Sequence, residues 1–330
     1  MRLTISIDAM GGDLGPQIVV AALEEPLKNY PNLHLLLFGD HKLLTSLISS
    51  TLEASLAERV EICHSPTIVN SADKPSAVLR SYGDSSMAMA IKAVADGTAD
   101  SCISGGNTGA LMAIGMSTLG TLPNISRPAI CAEIPTVNRN CLLLDLGANV
   151  DCSAQQLHQF ATLGAEMATR IQKIKRPRVK LLNLGTESLK GNTLVKQTDD
   201  LLRTDSTLNY QGYIEGHGIF AGEADVVVCD GFSGNIALKV SEGVASLIAH
   251  RARQQLLGGW LFRLLAWMFK NRLSQFRQSI DPALHNGALL LGLKGTLIKS
   301  HGGADMSAFR AALEMAIYAA ESMQGLESEN

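Results

Sequence analysis

The stretch 224–237, ADVVVCDGFSGNIA, constrains the chain most. Its β-branched run Val226, Val227, Val228 stops at Asp230-Gly231, and Ser233-Gly234-Asn235 then opens a helical pattern with no further glycine until Gly243. A strand delivered into a glycine-rich turn and a helix start exposes backbone N–H groups at the positive end of a helix dipole, which suits an anion. Ala99-Asp100-Ser101-Cys102-Ile103 runs in the same way into Ser104-Gly105-Gly106-Asn107-Thr108. The two Gly-Asn turns are therefore expected to face one another around a phosphate-sized group.

Short β-rich runs alternate with helical patterns over most of the 330 residues, the signature of βαβ units and a mainly parallel sheet in an α/β fold. A composition 46% hydrophobic but only 5% aromatic suits helices packed closely on a sheet. No low-complexity linker interrupts the chain, so residues 1–330 read as one catalytic unit. Strands are expected at 3–8, 33–40, 59–64, 141–146 and 179–184, with two short ones at 287–293 and 296–299 and a closing helix over 304–323. Residues 66–81 read as a long polar loop carrying the cations Lys74 and Arg80, before Asp84-Ser85-Ser86 caps a helix. Polar residues stand at five strand ends (Asp8, Ser104, Asp145, Asn183, Asp230), where an open parallel sheet places its site.

The six cysteines lie in or beside apolar strand candidates, with no Cys-x-x-Cys and no histidine at ligand spacing, so they read as buried reduced thiols and no metal is expected. The N-terminus enters a strand without an apolar leader, which points to the cytoplasm. A net charge of −3 implies no nucleic-acid partner. The distribution of charge says more: between Glu242 and Asp281 there is no acid, while Arg251, Arg253, Arg263, Lys270, Arg272 and Arg277 are basic. Within it, Trp260, Leu261, Leu264 and Trp267 form an apolar run too short and too charged to cross a bilayer. Residues 240–280 thus read as a projecting helical segment at a dimer interface, against an anionic membrane surface, or both.

No nucleophile elbow, phosphate-binding lysine loop or zinc-helix motif is present. Cations near strand ends (Lys190, Lys239, Arg80), amides and hydroxyls suit a reaction that positions a phosphate without a covalent enzyme intermediate. His301, beside Gly302-Gly303, reads either as a ligand or as a structural histidine.

DAMGGD at 8–13, KPS at 74–76, DSSM at 84–87, SGGNTGAL at 104–111, LLLDLGANVDC at 142–152, LLNLGTESLKGN at 181–192, VVVCDGFSGN at 226–235, and LLGLKG at 290–295 with KSHG at 299–302 together resemble the bacterial phosphate acyltransferase family of phospholipid synthesis. The match follows the family's order over nearly the whole chain and departs at Gly105, where the family has alanine. The resemblance implies a Rossmann-like αβα homodimer related to phosphotransacetylases and isocitrate-dehydrogenase-like proteins, needing no cofactor. It further implies transfer of a long-chain acyl group from acyl-carrier protein to inorganic phosphate, with the product passed to a membrane glycerol-3-phosphate acyltransferase and the enzyme peripherally membrane-associated.

Under that reading Asn107, Asn235, Lys190 and Asp230 are the catalytic candidates. Gly105, Gly106, Thr108, Ser233, Gly234, Lys239, Arg80, Lys74, Asn149 and His301 are expected to bind phosphate or substrate. Arg253, Trp260, Leu261, Arg263, Leu264, Trp267, Lys270 and Arg272 are expected to meet membrane or carrier protein. Two other readings stay open: an NAD-dependent decarboxylating dehydrogenase, disfavoured by Met10 where a dinucleotide turn needs glycine, and a non-catalytic membrane scaffold.

Overall fold

The computed structural model describes residues 2–256 and 286–327. Its strands are β1 (Leu3–Asp8), β2 (Leu33–Gly39), β3 (Val60–His64), β4 (Ser101–Ser104), β5 (Ala129–Ile134) and β6 (Cys141–Leu144). They continue with β7 (Arg178–Leu182), β8 (Asn209–Ile214), β9 (Val226–Val228), β10 (Ala288–Leu291) and β11 (Thr296–Lys299). The helices are α1 (Pro16–Ala21), α2 (Glu24–Asn29), α3 (His41–Thr51), α4 (Ala54–Ala57), α5 (Pro75–Ser81) and α6 (Ser86–Ala95). After them come α7 (Thr108–Leu119), α8 (Ala154–Ile171), α9 (Thr193–Thr204), α10 (Gly216–Ala221), α11 (Gly231–Leu256) and α12 (Met306–Glu327).

All eleven strands join one sheet in the order β3-β2-β1-β4-β11-β10-β5-β6-β9-β7-β8. Alternate side chains feed two cores, as a period of two requires. Leu35, Leu37, Leu142, Leu144, Val226 and Val228 pack on one face with α1, α3, α8 and α12. Leu36, Phe38, Leu143 and Val227 pack on the other with α6 and α7. The result is the expected αβα sandwich. Helix starts follow their caps: Ser85 accepts from the Ala88 amide, and Ser153 with Gln156 forms a reciprocal capping box.

Seven strand pairings are parallel, as expected. The three antiparallel pairings (β11 with β10, β10 with β5, β5 with β6) are consecutive across the centre. Three reversals turn β6, β9, β7 and β8 opposite to β1, β2, β3, β4 and β11. The five polar strand ends therefore do not share one edge: Asp8 and Ser104 end one half, and Asp145, Asn183 and Asp230 end the other. Two antiparallel hairpins and the long-range pairing of β10 with β5 between them impose this.

Other expectations shift locally. Residues 75–81 are helical, because Pro75 at the first helical position presets φ, so the loop ends at Lys74. Helix α11 begins at Gly231, three residues before the expected Gly234, because Asp230 caps it by accepting from the Ser233 amide and hydroxyl, both at 2.8 Å. Strand β8 and helix α10 escape the sequence reading, since β8 is interrupted by Gly212 at φ 83° opposite a register shift in β7. Helix α11 carries the start of the expected 240–280 segment, including Arg253. Trp260, Leu261, Arg263, Leu264, Trp267, Lys270 and Arg272 lie outside the described residues.

Gly234 is a packing residue: a Cβ there would stand 1.9 Å from the Asp145 carbonyl oxygen, whereas one on Gly243, in the same helix, meets nothing within 4 Å. Gly234→Ala should cost at least about 1–3 kcal/mol through overpacking, and Gly243→Ala should gain about 0.5–1 kcal/mol through helix propensity; urea midpoints measure both. At the start of β7, Arg178 pairs with Asp225 at 2.9 Å. Burial raises the Asp225 carboxyl, but the Arg178 guanidinium and amide outweigh it and hold the carboxyl below its ordinary value. A depressed folded-state carboxyl stabilises above its unfolded pKa of about 3.9 and ceases to as pH falls further. Urea midpoints of the wild type should therefore drop on acidification through that range more steeply than those of Asp225→Asn.

Candidate active site

At the end of the first half, three loops are tied together. Asp8 is buried, accepting from the Ser86 and Ser104 hydroxyls at 2.6 Å each, and Ser104 Oγ in turn accepts from the Gly106 amide at 3.0 Å. Burial raises the Asp8 carboxyl, while these hydroxyls and the Met10 and Gly11 amides pull it back. A Cβ on Gly11 would lie 2.5 Å from Asp8 Oδ2 and 2.8 Å from the Gly106 amide, so only glycine lets the 8–13 and 104–108 loops meet. The Asp13 amide donates to the Gly302 carbonyl at 2.8 Å, bringing in the loop after β11.

Asn107 is committed within this assembly. Its Oδ1 caps α7 by accepting from the Ala110 amide at 3.0 Å, and its Nδ2 donates to the Ser71 and Asp73 carbonyls at 2.9 and 3.0 Å. The side chain expected to contact substrate instead clasps the polar loop that precedes α5.

The other half has its own knot. Asp145 Oδ1 accepts from the Ile130 and Ala148 amides at 2.9 and 3.0 Å, and Oδ2 from the Asn149 amide and Nδ2 at 2.7 and 2.8 Å. Asn149 also donates to the Pro128 carbonyl at 2.9 Å, and its own carbonyl accepts from the Gly231 amide at 2.8 Å. Asn149, Asp230, Ser233 and Gly234 thus anchor the start of α11. The Asp230 carboxylate already occupies the helix terminus that the sequence offers to phosphate.

Helix α11 crosses from this knot to the first half, and between it and the central strands lies a cavity of about 650 Å³. Its lining mixes polar Asn235, Lys239, Lys299, Ser300, His301 and Asn286 and the acids Glu133, Glu242 and Asp305 with apolar Ile130, Ala132, Ile134, Leu146, Phe220 and Leu238. Thr108 also lines it, so one residue from each Gly-Asn turn, Thr108 and Asn235, reaches a common space although their strands run in opposite directions.

Lys239 Nζ lies 3.0 Å from His301 Nε2 and 2.8 Å from Glu242. The His301 amide donates to Asn286 Oδ1 at 2.9 Å, which fixes the loop. Burial and Lys239 lower the His301 pKa, leaving the ring neutral at pH 7. Burial also lowers Lys299 to about 8, with Asp8 and Asp13 opposing.

The structure brings together Thr108, Asn235, Lys239 and His301, with Gly105 joined through a Lys299 Nζ contact of 3.3 Å. Gly106 sits behind them on Ser104. Lys190, Lys74 and Arg80 are exposed and do not line the cavity. Lys299, Ser300 and Asn286 escape the sequence reading; the signal for Lys299 was its place at a strand end directly before Ser300-His301-Gly302-Gly303. No cysteine lines the cavity among the described residues, and burial holds Cys102 and Cys141 near 12, far from thiolate reactivity.

Residues 3–325 match the family model described as fatty acid synthesis protein. The phosphate acyltransferase of Nitrosococcus oceani is 48% identical over 96% of this chain and 93% of that protein. That of Pseudomonas putida is 49% identical over 95% and 93%. Among solved structures, a phosphotransacetylase from Streptococcus pyogenes superposes with a TM-score of 0.63 at 17% identity, covering 98% of this chain and 94% of that one. A putative 4-hydroxythreonine-4-phosphate dehydrogenase from Salmonella typhimurium gives 0.58 at 14% identity, covering 96% and 99%. These distant likenesses share the fold and bear out the phosphotransacetylase-like architecture. With a family match across nearly its full length and relatives close to half identical, the chain belongs to the phosphate acyltransferase family.

Proposed function

We propose that this acyltransferase moves a long-chain fatty acyl group from acyl-carrier protein to inorganic phosphate, giving acyl phosphate and free carrier for phospholipid synthesis. The observation that carries this reading is a cavity whose lining combines donors and the cations Lys239 and Lys299 with aliphatic and aromatic side chains. Such a space holds an oxyanion against an acyl thioester. A phosphate oxygen attacks the thioester carbonyl, the new C–O bond forms, the C–S bond breaks, and the phosphate proton ends on the departing sulfur. Phosphate is already partly dianionic at neutral pH and a thiolate leaves readily, so positioning and charge stabilisation suffice.

In this reading Asn235 is the donor to the carbonyl oxygen, Lys239 and His301 bind phosphate, and Thr108 borders the same space. Asn107, Asn149, Asp230, Ser233 and Gly234 act through the loops they fix, as do Gly105, held by Lys299, and Gly106, held by Ser104. Lys190, Arg80 and Lys74, exposed outside the cavity, meet the acidic carrier protein.

A second copy of the chain covers α11. Its exposed stripe Phe232, Ile236, Val240, Val244, Leu247 and Ile248 repeats at helical spacing and supports a homodimer. The basic Trp-bearing segment beyond α11 places the enzyme on an anionic membrane surface, where the glycerol-3-phosphate acyltransferase that consumes the product resides. Among the described residues no helix is long and apolar enough to cross a membrane.

Incubation with palmitoyl-carrier protein and labelled phosphate should yield acyl phosphate; carrier binding without product overturns the reading. Asn235→Ala should lower kcat about 10²–10³-fold with an unchanged melting temperature. Asn107→Ala should lose about 1 kcal/mol of stability as a cap is removed, so its activity loss tracks unfolding. Trp260 and Trp267 emission should shift to the blue with anionic liposomes, and absence of both shift and cosedimentation leaves the segment to the dimer interface alone.

A further inference from the structure

Two donors face each other in the cavity lining. His301 Nε2 lies 3.0 Å from Lys239 Nζ, and its Nδ1 lies 3.1 Å from the Gly303 amide nitrogen. A neutral imidazole offers one N–H and one acceptor nitrogen. If Nδ1 accepts from Gly303, Nε2–H points at the Lys239 ammonium; if Nε2 accepts from Lys239, Nδ1–H points at the Gly303 amide. Either tautomer leaves one contact with a donor on both sides. An oxyanion accepting from Lys239 and His301 together removes the conflict.

Lys299 stands at the same place from a different element. Strand β11 carries it between β4 and β10, and its Nζ donates to the Gly105 carbonyl at 3.3 Å and to the Ser300 carbonyl. An ammonium has three donors, so one is left for the cavity it lines. The charged groups that face it are Asp8, Asp13 and Lys239. Asp8 spends both carboxylate oxygens on Ser86 and Ser104, and the hydrogen bonds of Lys299 go to carbonyls rather than to either acid.

We propose that Lys299 is the third arm of the phosphate subsite, holding the Gly105-Gly106 turn through the Gly105 carbonyl while lending its charge to the oxyanion gripped by Lys239 and His301. The inference rests on the acyl-to-phosphate reading above. It adds a pH signature: the arm is charged below about 8 and loses its charge as pH rises, so phosphate affinity falls on the alkaline side.

The test measures the KM for phosphate and for the acyl donor from about pH 6.5 to about pH 9.5, on either side of the Lys299 transition and below the ordinary lysine value. The wild type is compared with Lys299→Met and Lys299→Arg, and direct calorimetric binding of phosphate alone is measured for each. Lys299→Met should raise the phosphate KM and Kd about 10- to 100-fold, the range expected for one charged hydrogen bond, with little change in acyl-donor KM. Lys299→Arg should restore phosphate binding to within a few-fold and abolish the alkaline rise in KM, because guanidinium stays protonated. A phosphate KM for folded Lys299→Met within twofold of wild type, or an alkaline rise that persists in Lys299→Arg, overturns the proposal. If the methionine variant fails to fold, the pH profile of the arginine variant decides alone. Failure of the underlying reading is distinct: the wild type itself then forms no acyl phosphate.

Discussion

The β10–β11 hairpin is the constraint on which the rest depends. Strands β4 and β5 never pair with each other; the hairpin enters between them, parallel to β4 on one side and antiparallel to β5 on the other. Together with β5 it joins two parallel half-sheets of opposite direction into one, and it delivers Lys299, Ser300 and His301 to the space under α11. Core and site are therefore one problem: Leu297 and Ile298 are fully buried, and the next residue along carries a cation.

Around this join the polar groups divide into those that build and those that are left to act. The buried carboxylates Asp8 and Asp145 have both oxygens filled by hydroxyls, amides or a carboxamide, which makes them loop fasteners. Their partners explain why so many polar residues cluster at strand ends without touching the cavity. A buried acceptor left unpaired costs about 1–3 kcal/mol, so Ser86, Ser104 and Asn149 are needed for the fold before any chemistry is considered. Asn235, Lys239, Lys299 and His301 are among the side chains that line the cavity.

Much of this was legible in the sequence. Val226–Val228 followed by Asp230-Gly231 announced a strand and a helix start, Ser85 announced a cap, and the 287–299 hairpin was placed within two residues. The family and the phosphotransacetylase-like architecture followed from motifs in order along the chain. Other features were hidden because they depend on partners distant in sequence. Asp145 ends a strand of the β5–β6 hairpin, but nothing near it says that its strand runs against that of Asp8, since the net reversal also needs the pairing of β10 with β5, far apart in sequence. A Gly-Asn turn looks the same whether asparagine faces a ligand or spans to a loop 34 residues away, as Asn107 does to Asp73. Asp230, read as a catalytic candidate, is the cap of the helix that follows, accepting from the Ser233 amide and hydroxyl.

The hairpin also dictates an order of assembly. The contact between Lys299 and Gly105 spans 194 residues of chain, so the site cannot close until residues near 300 have been synthesised and threaded between strands made far earlier. Such non-local closure is slow compared with forming the β1–β4 unit, and an emerging chain must keep the flank of β4 free of other partners meanwhile. A nascent chain ending before β10 would expose two unpaired strand edges, β4 and β5, to aggregation. Closure of the cavity and protection from self-association therefore arrive in the same late step.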